Sequence, residues 1–487
     1  MKFSFEKEYA ALIENENVME IGNLKNLDNI PTRAGGKLCL GLECLDRDLW
    51  DFERAFEQIK KLGVHKARLQ SGWQKTESVK GVYDFSWLDE VVSKLSEAGI
   101  EPFLSLSYGN KLYCAEPEKY PNIENGGVGH IPVVTQEERS GWTNYVKATV
   151  EHFKDRITHY EIWNEPDCGT FCCVDMPWTE AYMELIKITA PLIRKLQPTA
   201  KIISCTALFS GIKHLFNRGI GEYVDIHSFH GYKFYPEISS GDGKANRISY
   251  LEKKYPDLKI WRGESGCPSY NDPISHGALS NIKASEIKQA KFLLRHLVCD
   301  LENDAIDLTS YFHAYDFEHF TRKLRYYYGL IRHEDVSRKP AYNCFQVLTH
   351  LFDGKVKSNK EHSLAAIYQR NYKISDEKIV NMRFLTFEKD EKLFYAYYLP
   401  APIDDESVVY TVFLTLPYVE GQGEDYVIID PVTRKIYPVS DAGWFLAPVT
   451  DYPMFVVRRD MIADIADIYR ELPREKAEEI ISQITEE

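Results

Sequence analysis

No window of this 487-residue chain approaches the roughly 18 consecutive apolar residues of a membrane-crossing helix. Basic residues are the minority, 59 Lys and Arg against 73 Asp and Glu. The resulting formal charge of −14 leaves no broad cationic face for nucleic acid or an anionic membrane. Cysteine is sparse: ten residues in so long a chain do not make a dense disulfide framework. Also lacking are a Gly-rich phosphate loop after any apolar strand and a nucleophile elbow, which removes support for dinucleotide-dependent or serine-nucleophile chemistry. Residues Met1 to Glu8 carry acids early and no continuous apolar run. A signal peptide is therefore not expected, and the expected setting is cytoplasmic with reduced thiols.

What the chain does have is a 44% apolar content, enough for a large core, and a 13% aromatic share. From residue 38 onward, apolar runs alternate with amphipathic stretches. Strands are expected at 38–42, 65–70, 101–107, 157–163, 201–206, 223–229, 259–263 and 308–312. Helices are expected at 49–62, 86–98, 136–153, 179–196, 245–254, 283–301 and 341–352. Eight such repeats predict an α/β fold, a (β/α)8 TIM barrel over 35–354, in preference to an open doubly wound sheet. After Gly354 the helices stop. Short strands at 365–372, 379–384, 393–399, 408–416, 426–429 and 454–457 predict an all-β sandwich over 355–460, joined by a strand at Phe3–Phe5 from the segment 1–34. An amphipathic helix is expected over 465–484, in a C-terminal segment 461–487, packed on the sandwich or against a second copy in a homo-oligomer.

Two strand ends carry the chemistry. Tyr160-Glu161-Ile162-Trp163-Asn164-Glu165-Pro166 is an apolar strand that stops at a carboxylate, since proline cannot extend a ladder. Ninety-nine residues later, Lys259-Ile260-Trp261-Arg262-Gly263-Glu264 repeats the design. A barrel presents its chemistry at the carboxyl ends of its strands, and strands four and seven face each other across the mouth. A carboxylate pair there suits glycoside hydrolysis, one protonated to assist departure and one ionised to attack. A barrel that only binds carbohydrate is the competing class, but it gains little from buried paired carboxylates.

The Trp163-Asn164-Glu165-Pro166 motif, the strand-seven glutamate and the stretch Gly81-Val82-Tyr83-Asp84-Phe85-Ser86-Trp87-Leu88-Asp89 together resemble clan A glycoside hydrolases. The closest pattern is family 39, which includes β-xylosidases and α-L-iduronidases. The resemblance implies Glu165 as acid/base and Glu264 as nucleophile in a retaining reaction. It implies that Asn164 bonds the sugar 2-hydroxyl and that Arg68, late in strand two, keeps the nucleophile ionised. His230-Gly231-Tyr232 resembles the family's His-x-Tyr, with Tyr232 donating to the nucleophile; His227 is either part of this set or a core histidine. Where relatives often carry Trp after strand eight, this chain reads Tyr311-Phe312-His313-Ala314-Tyr315-Asp316, which leaves the sugar-facing residue open.

Trp73, Tyr108 and Trp178 follow strands two, three and four and are candidate sugar-stacking residues. Cys44, Cys114, Cys168, Cys172, Cys173 and Cys267 all fall on the catalytic side, but their spacing matches no zinc motif, so no metal and no cofactor belong to the expected site. The expected substrate is a small oligosaccharide or short β-linked glycoside cleaved from its end, of β-xyloside or β-glucoside type. β-Galactosides, β-mannosides, α-L-arabinofuranosides and α-L-iduronides are the alternatives within the clan.

Overall fold

In the computed structural model the described residues are 8–11, 18–29, 31, 35–208, 211–239, 250–271, 278–279, 281–318, 325–366, 379–406, 409–417, 425–439 and 444–470. Eight parallel strands close into a barrel: Leu38–Gly41 (β1), Lys66–Gln70 (β2), Glu101–Leu106 (β3), His159–Ile162 (β4), Lys201–Thr206 (β5), Ile226–His230 (β6), Lys259–Ser265 (β7) and Leu308–Tyr311 (β8), with β8 pairing back to β1. Around it lie Phe52–Lys60 (α1), Ser86–Glu97 (α2), Gln136–Phe153 (α3), Trp178–Leu196 (α4), Gly211–Phe216 (α5), Glu286–Glu302 (α6) and Pro340–Leu351 (α7). Residues 250–254, between β6 and β7, are helical as well. The fold is the barrel that the βα alternation predicts.

Helix starts follow local chemistry. Asp51 caps α1 by accepting from the Glu53 and Arg54 amides, and Thr135 with Glu138 forms a capping box at α3. Gly99, with φ +76°, takes the left-handed turn that ends α2 and lets β3 begin two residues later.

Strand register stacks the barrel interior in layers of four, contributed by alternate strands. The floor is apolar: Cys39, Phe103, Ile203 and Trp261 are buried in one cluster. Above it comes a polar layer, Arg68, Glu161, Ser228 and Ser310, all buried. The third layer is made of small residues, Gly41, Ser105, Cys205 and Gly263. Their smallness leaves room for the large side chains that descend from the mouth.

Among the described residues the β-domain holds a nine-stranded sheet and a three-stranded sheet. Two central strands are Lys392–Tyr398 (β9) and Met454–Arg458 (β10), which pair antiparallel. Alternation sorts their faces: Leu393, Tyr395, Tyr397, Met454 and Val456 pack toward the small sheet. Phe394, Ala396, Tyr398, Phe455 and Val457 join the barrel's core instead. A sheet buried on both faces reads as an unbroken apolar run, and Leu393–Leu399 does. Charged contacts reinforce the junction. Arg295 on α6 donates to both Glu237 oxygens (2.7 Å each) and to the Ala401 carbonyl (2.6 Å), while Tyr398 donates to Glu237 (2.7 Å). Lys291 pairs with the buried Asp451 at 2.9 Å.

The ends differ from expectation. Phe3–Phe5 lies outside the described residues, but Glu8–Ala11 pairs with Ile379–Lys389, and Gly22–Leu24 lies between Lys435–Pro438 and Ala466–Ile468. Residues 466–468 are therefore strand, not the start of a helix: pairing with Gly22–Leu24 satisfies their backbone, and the short apolar pattern there fits either period. The rest of that expected helix, from 471, lies outside the described residues.

Candidate active site

A regular strand points successive side chains to opposite faces, so Asn164 and Glu165 would not both reach the mouth from an ideal β4. Trp163 and Glu165 take left-handed backbone angles, φ 68° and 47°, which break the alternation just past the strand end. Strain of this kind in non-glycine residues persists where surrounding structure enforces it and concentrates at functional sites. On β7 a register shift does the same work: His230 on β6 faces Glu264 although Phe229 faces Arg262. The extra residue is Gly263, where a Cβ would come within 2.1 Å of Ser228 Oγ and 3.1 Å of His230 Nε2. Alternation after Trp261 sends Arg262 outward to Asp300 on α6, and the bulge that follows turns Glu264 inward.

Glu165 and Glu264 meet over the small-residue layer. Ligand atoms of Glu165, His230 and Glu264 all lie within 4.8 Å of one another. His230 Nδ1 is 2.6 Å from Glu165 Oε1 and 3.5 Å from Glu264 Oε2. Tyr232 donates its hydroxyl to Glu264 Oε2 (2.7 Å), and Arg68 Nη1 donates to Glu264 Oε1 (2.5 Å). Arg68 also binds Glu43 (2.9 Å) and Glu161 on β4, and its Nη2 donates to Asn164 Oδ1 (2.8 Å). That bond fixes the amide's orientation, so Asn164 Nδ2 donates to the Tyr108 hydroxyl (2.9 Å) and keeps a second N–H.

The two carboxyls sit in opposed electrostatic surroundings. Burial pushes the Glu165 carboxyl above its ordinary value; His230 pulls it down, and the Glu264 charge adds to the rise. Burial works against the Glu264 charge as well, but His230, Arg68 and the hydrogen bonds from Tyr232 and Arg68 outweigh it and hold its carboxyl below the usual value. One group is poised to keep a proton and the other to be ionised.

The structure gathers Arg68, Asn164, Glu165, His230, Tyr232, Glu264 and Tyr108 at one place, but not Trp73. Its indole is fully buried, stacked on Tyr113 and Tyr145, edge-on to Trp142, and donates to Glu77 (2.6 Å). An aromatic residue after a barrel strand reads alike whether it faces the cleft or the helix layer, and here the core takes it. Tyr108 is also buried, its ring stacked on Phe171, so it holds Asn164 rather than offering a face to sugar. Trp178 opens α4, half-buried beside Gly211. His227 is a core histidine satisfied by Ser204 (2.9 Å) and Thr206 (3.3 Å), and burial drives its pKa down to about 3. Sequence reasoning missed Glu43, Glu161 and Cys205. Glu161 had a signal, since alternation along β4 turns it inward, whereas Glu43 and Cys205 are single residues in unremarkable runs. At the end of β8, Tyr311 and the following His313 are fully buried, while Phe312 between them is half-buried with its ring 6.2 Å from that of Tyr232.

The family model described as glycosyl hydrolases family 39 matches residues 47–394, a span that holds Arg68, Asn164, Glu165, His230, Tyr232 and Glu264. This chain belongs to glycosyl hydrolase family 39. The family comprises retaining glycoside hydrolases. A family 39 glycoside hydrolase from the gut symbiont Bacteroides cellulosilyticus WH2 shares the fold with a TM-score of 0.60 at 20% identity, over 93% of this chain and 88% of that one. A monomeric β-xylosidase from Caulobacter crescentus CB15 aligns with a TM-score of 0.50 at 16% identity, over 90% and 99% of the two chains. In sequence, β-galactosidase BgaA of Clostridium cellulovorans is 34% identical over 146 residues. That match takes in 27% of this chain and only 21% of the relative's length.

Proposed function

We propose that this family 39 member cleaves a short β-linked glycoside from its end by double displacement, with Glu264 as nucleophile and Glu165 as acid/base. The observation that carries the reading is the closeness of the carboxylates, with oxygens of Glu165 and Glu264 within 4.8 Å. Retaining enzymes hold such a pair about 5–5.5 Å apart, whereas an inverting pair needs about 6.5–9.5 Å to admit water between carboxylate and sugar.

In the first step ionised Glu264 attacks the anomeric carbon while Glu165 protonates the departing oxygen. In the second, Glu165, now a carboxylate, takes a proton from water as that water releases the sugar from Glu264. Asn164 offers its remaining N–H to the 2-hydroxyl, and Phe312 offers a ring to a sugar face. Action from the chain end is favoured because the loops after β3 and β4 pack on each other: Cys173 donates its amide to the Gly129 carbonyl (2.9 Å), and the Tyr108 ring stacks on Phe171. Such loops wall one side of the mouth. β-Xylosides, β-glucosides and β-galactosides are the first substrates to try, the last because of the relative named above.

The test is stereochemical. Proton NMR of an aryl β-glycoside hydrolysis, read before mutarotation, should give the β-anomer as the first-formed sugar. A first-formed α-anomer would make Glu264 a base and end the double-displacement reading.

A further inference from the structure

Cys205 has no part in the two steps above, yet it lies directly under them. It is the one member of the small-residue layer with a reactive side chain, and its Sγ is 3.4 Å from His230 Nε2. Among the described residues Nε2 has no other hydrogen-bond partner. The opposite ring nitrogen faces both carboxylates, nearer Glu165. One imidazole therefore joins a thiol to the catalytic pair.

We propose that Cys205 is a positioning residue that keeps a proton on His230 Nδ1, facing the carboxylates, by serving Nε2 as donor or acceptor as the ring's charge requires. Its consequence for turnover rests on the glycosidase reading above; the proton's place rests on the geometry alone. A thiol has one S–H donor and weak acceptor lone pairs. Beside a neutral ring the S–H donates to Nε2, so the ring's single proton sits on Nδ1 and donates to Glu165. Beside a charged ring Nε2–H donates to sulfur, and Nδ1–H is unchanged. Burial pushes the thiol up to about 11, so the sulfur keeps its hydrogen near neutrality. Burial also opposes a charge on His230, but its contacts with Cys205, Glu264 and Glu165 outweigh this and set it well above the usual histidine value.

The other ionisable groups around the ring leave this balance standing. Arg68 from β2 is bound by Glu43, Glu161 and Glu264. The Glu161 carboxylate lies within 4.8 Å of Cys205 Sγ and of the ring but at hydrogen-bond distance from neither, and its charge is met by Arg68. Asp167, after β4, accepts the Ala207 and Leu208 amides, and Tyr232, two residues on, donates to Glu264. His227 on the same strand stays neutral, with its pKa at about 3.

Double displacement moves one negative charge between the two carboxyls. Glu264 carries it at first; in the glycosyl-enzyme Glu264 is an ester and Glu165 carries it. Sitting between them, His230 Nδ1 meets one negative charge at both stages, and a proton held there favours either. A residue that only filled space at 205 would leave this proton unplaced.

Two variants and two readouts test this. Kinetics of Cys205→Ala and Cys205→Ser on an aryl β-glycoside are followed against pH, and ring 15N shifts are read from 15N-histidine-labelled protein, with His230 assigned through His230→Gln. Alanine leaves Nε2 buried without an acceptor, so the charged ring is disfavoured and Glu165 loses its cationic neighbour. The basic limb of kcat/KM should then move up by about one pH unit, since one unit is a tenfold change in the protonation equilibrium. Serine, both donor and acceptor, should keep the parent's limb, and the parent's ring should carry its proton on Nδ1. An Nε2–H neutral tautomer in the parent, or an alanine variant with the parent's limb and ring shifts, overturns the proposal. Should the alanine variant not fold, the parent's tautomer and the serine profile decide it. A protein that hydrolyses no glycoside yet holds the Nδ1 proton would sink the glycosidase reading and leave the Cys205 assignment standing.

Discussion

Replacing Glu43 by glutamine should flatten the pH dependence of stability. Glu43 lies two residues past β1, 1% exposed, with Oε1 bonded to Arg68 at 2.9 Å and no hydrogen-bond partner for Oε2 among the described residues. Burial raises its carboxyl, Arg68 pulls it back, and repulsion from Glu264 adds to the rise, so it moves from 4.5 to about 7. An acid whose pKa is raised on folding binds a proton more tightly in the folded protein than in the unfolded chain. Its contribution is fully present below 4.5 and is lost as pH rises through about 7. Across that window, at about 1.4 kcal/mol per unit, the loss is about 3 kcal/mol. Glutamine keeps an oxygen for Arg68 and cannot ionise. The gap in unfolding free energy between Glu43→Gln and the parent should therefore widen in the variant's favour by about 3 kcal/mol from acid to mildly alkaline pH. Urea unfolding followed by tryptophan fluorescence at a series of pH values measures that gap. If it stays constant, Glu43 titrates in the folded protein as it does in the unfolded chain, and burial beside Glu264 does not hold a proton on it against the pull of Arg68.

Three further outcomes are expected. Glu165→Ala should slow substrates with poor leaving groups far more than activated aryl glycosides, and azide should rescue it with formation of a β-glycosyl azide; equal loss across leaving groups would remove Glu165 as the proton donor. Tyr232→Phe deletes a charge-assisted hydrogen bond worth about 1.5–3 kcal/mol, so the acidic limb of kcat/KM, which the proposed mechanism assigns to Glu264, should rise by about one unit; an unmoved limb would mean the 2.7 Å contact does not hold in solution. Trp73→Ala should cost about 3–5 kcal/mol in denaturant unfolding and leave KM unaltered, whereas a raised KM at unchanged stability would return Trp73 to the sugar.

The barrel was legible because its signals were long: eight apolar runs, each with an amphipathic partner, repeat one period, and Gln136–Phe153 and Lys201–Thr206 match their expected bounds. The carboxylates were legible because proline and glycine mark where their strands stop. Of the residues that tune them, Arg68, His230 and Tyr232 came with the family resemblance, but Glu43, Glu161 and Cys205 did not. Glu161 and Glu43 owe their place to the layering of the barrel, which depends on register among all eight strands. Cys205 matters through a neighbour 25 positions away. The β-domain was harder again, since strands such as Gly22–Leu24 and Ala466–Ile468 are three residues long and exist only by pairing across 412 positions or more of chain.

The grip of the β-domain on Glu237 has a consequence for how this protein can be divided or altered. Glu237 belongs to the same connection as Tyr232, and it is tied to Arg295, which in turn reaches Ala401, and to Tyr398. A barrel severed near residue 354 would keep Arg295 and Lys291 but strip them of Ala401, Tyr398 and Asp451, leaving two buried cations short of partners at the root of the connection that carries Tyr232, the hydrogen-bond donor to Glu264. The C-terminal portion is thus not an appendage that can be swapped for another of similar shape, because its residues complete contacts that the barrel begins. The loops after β3 and β4 lean on each other instead. Exchange of those loops would alter the mouth of the barrel while leaving Glu264 and its hydrogen-bond donors in place.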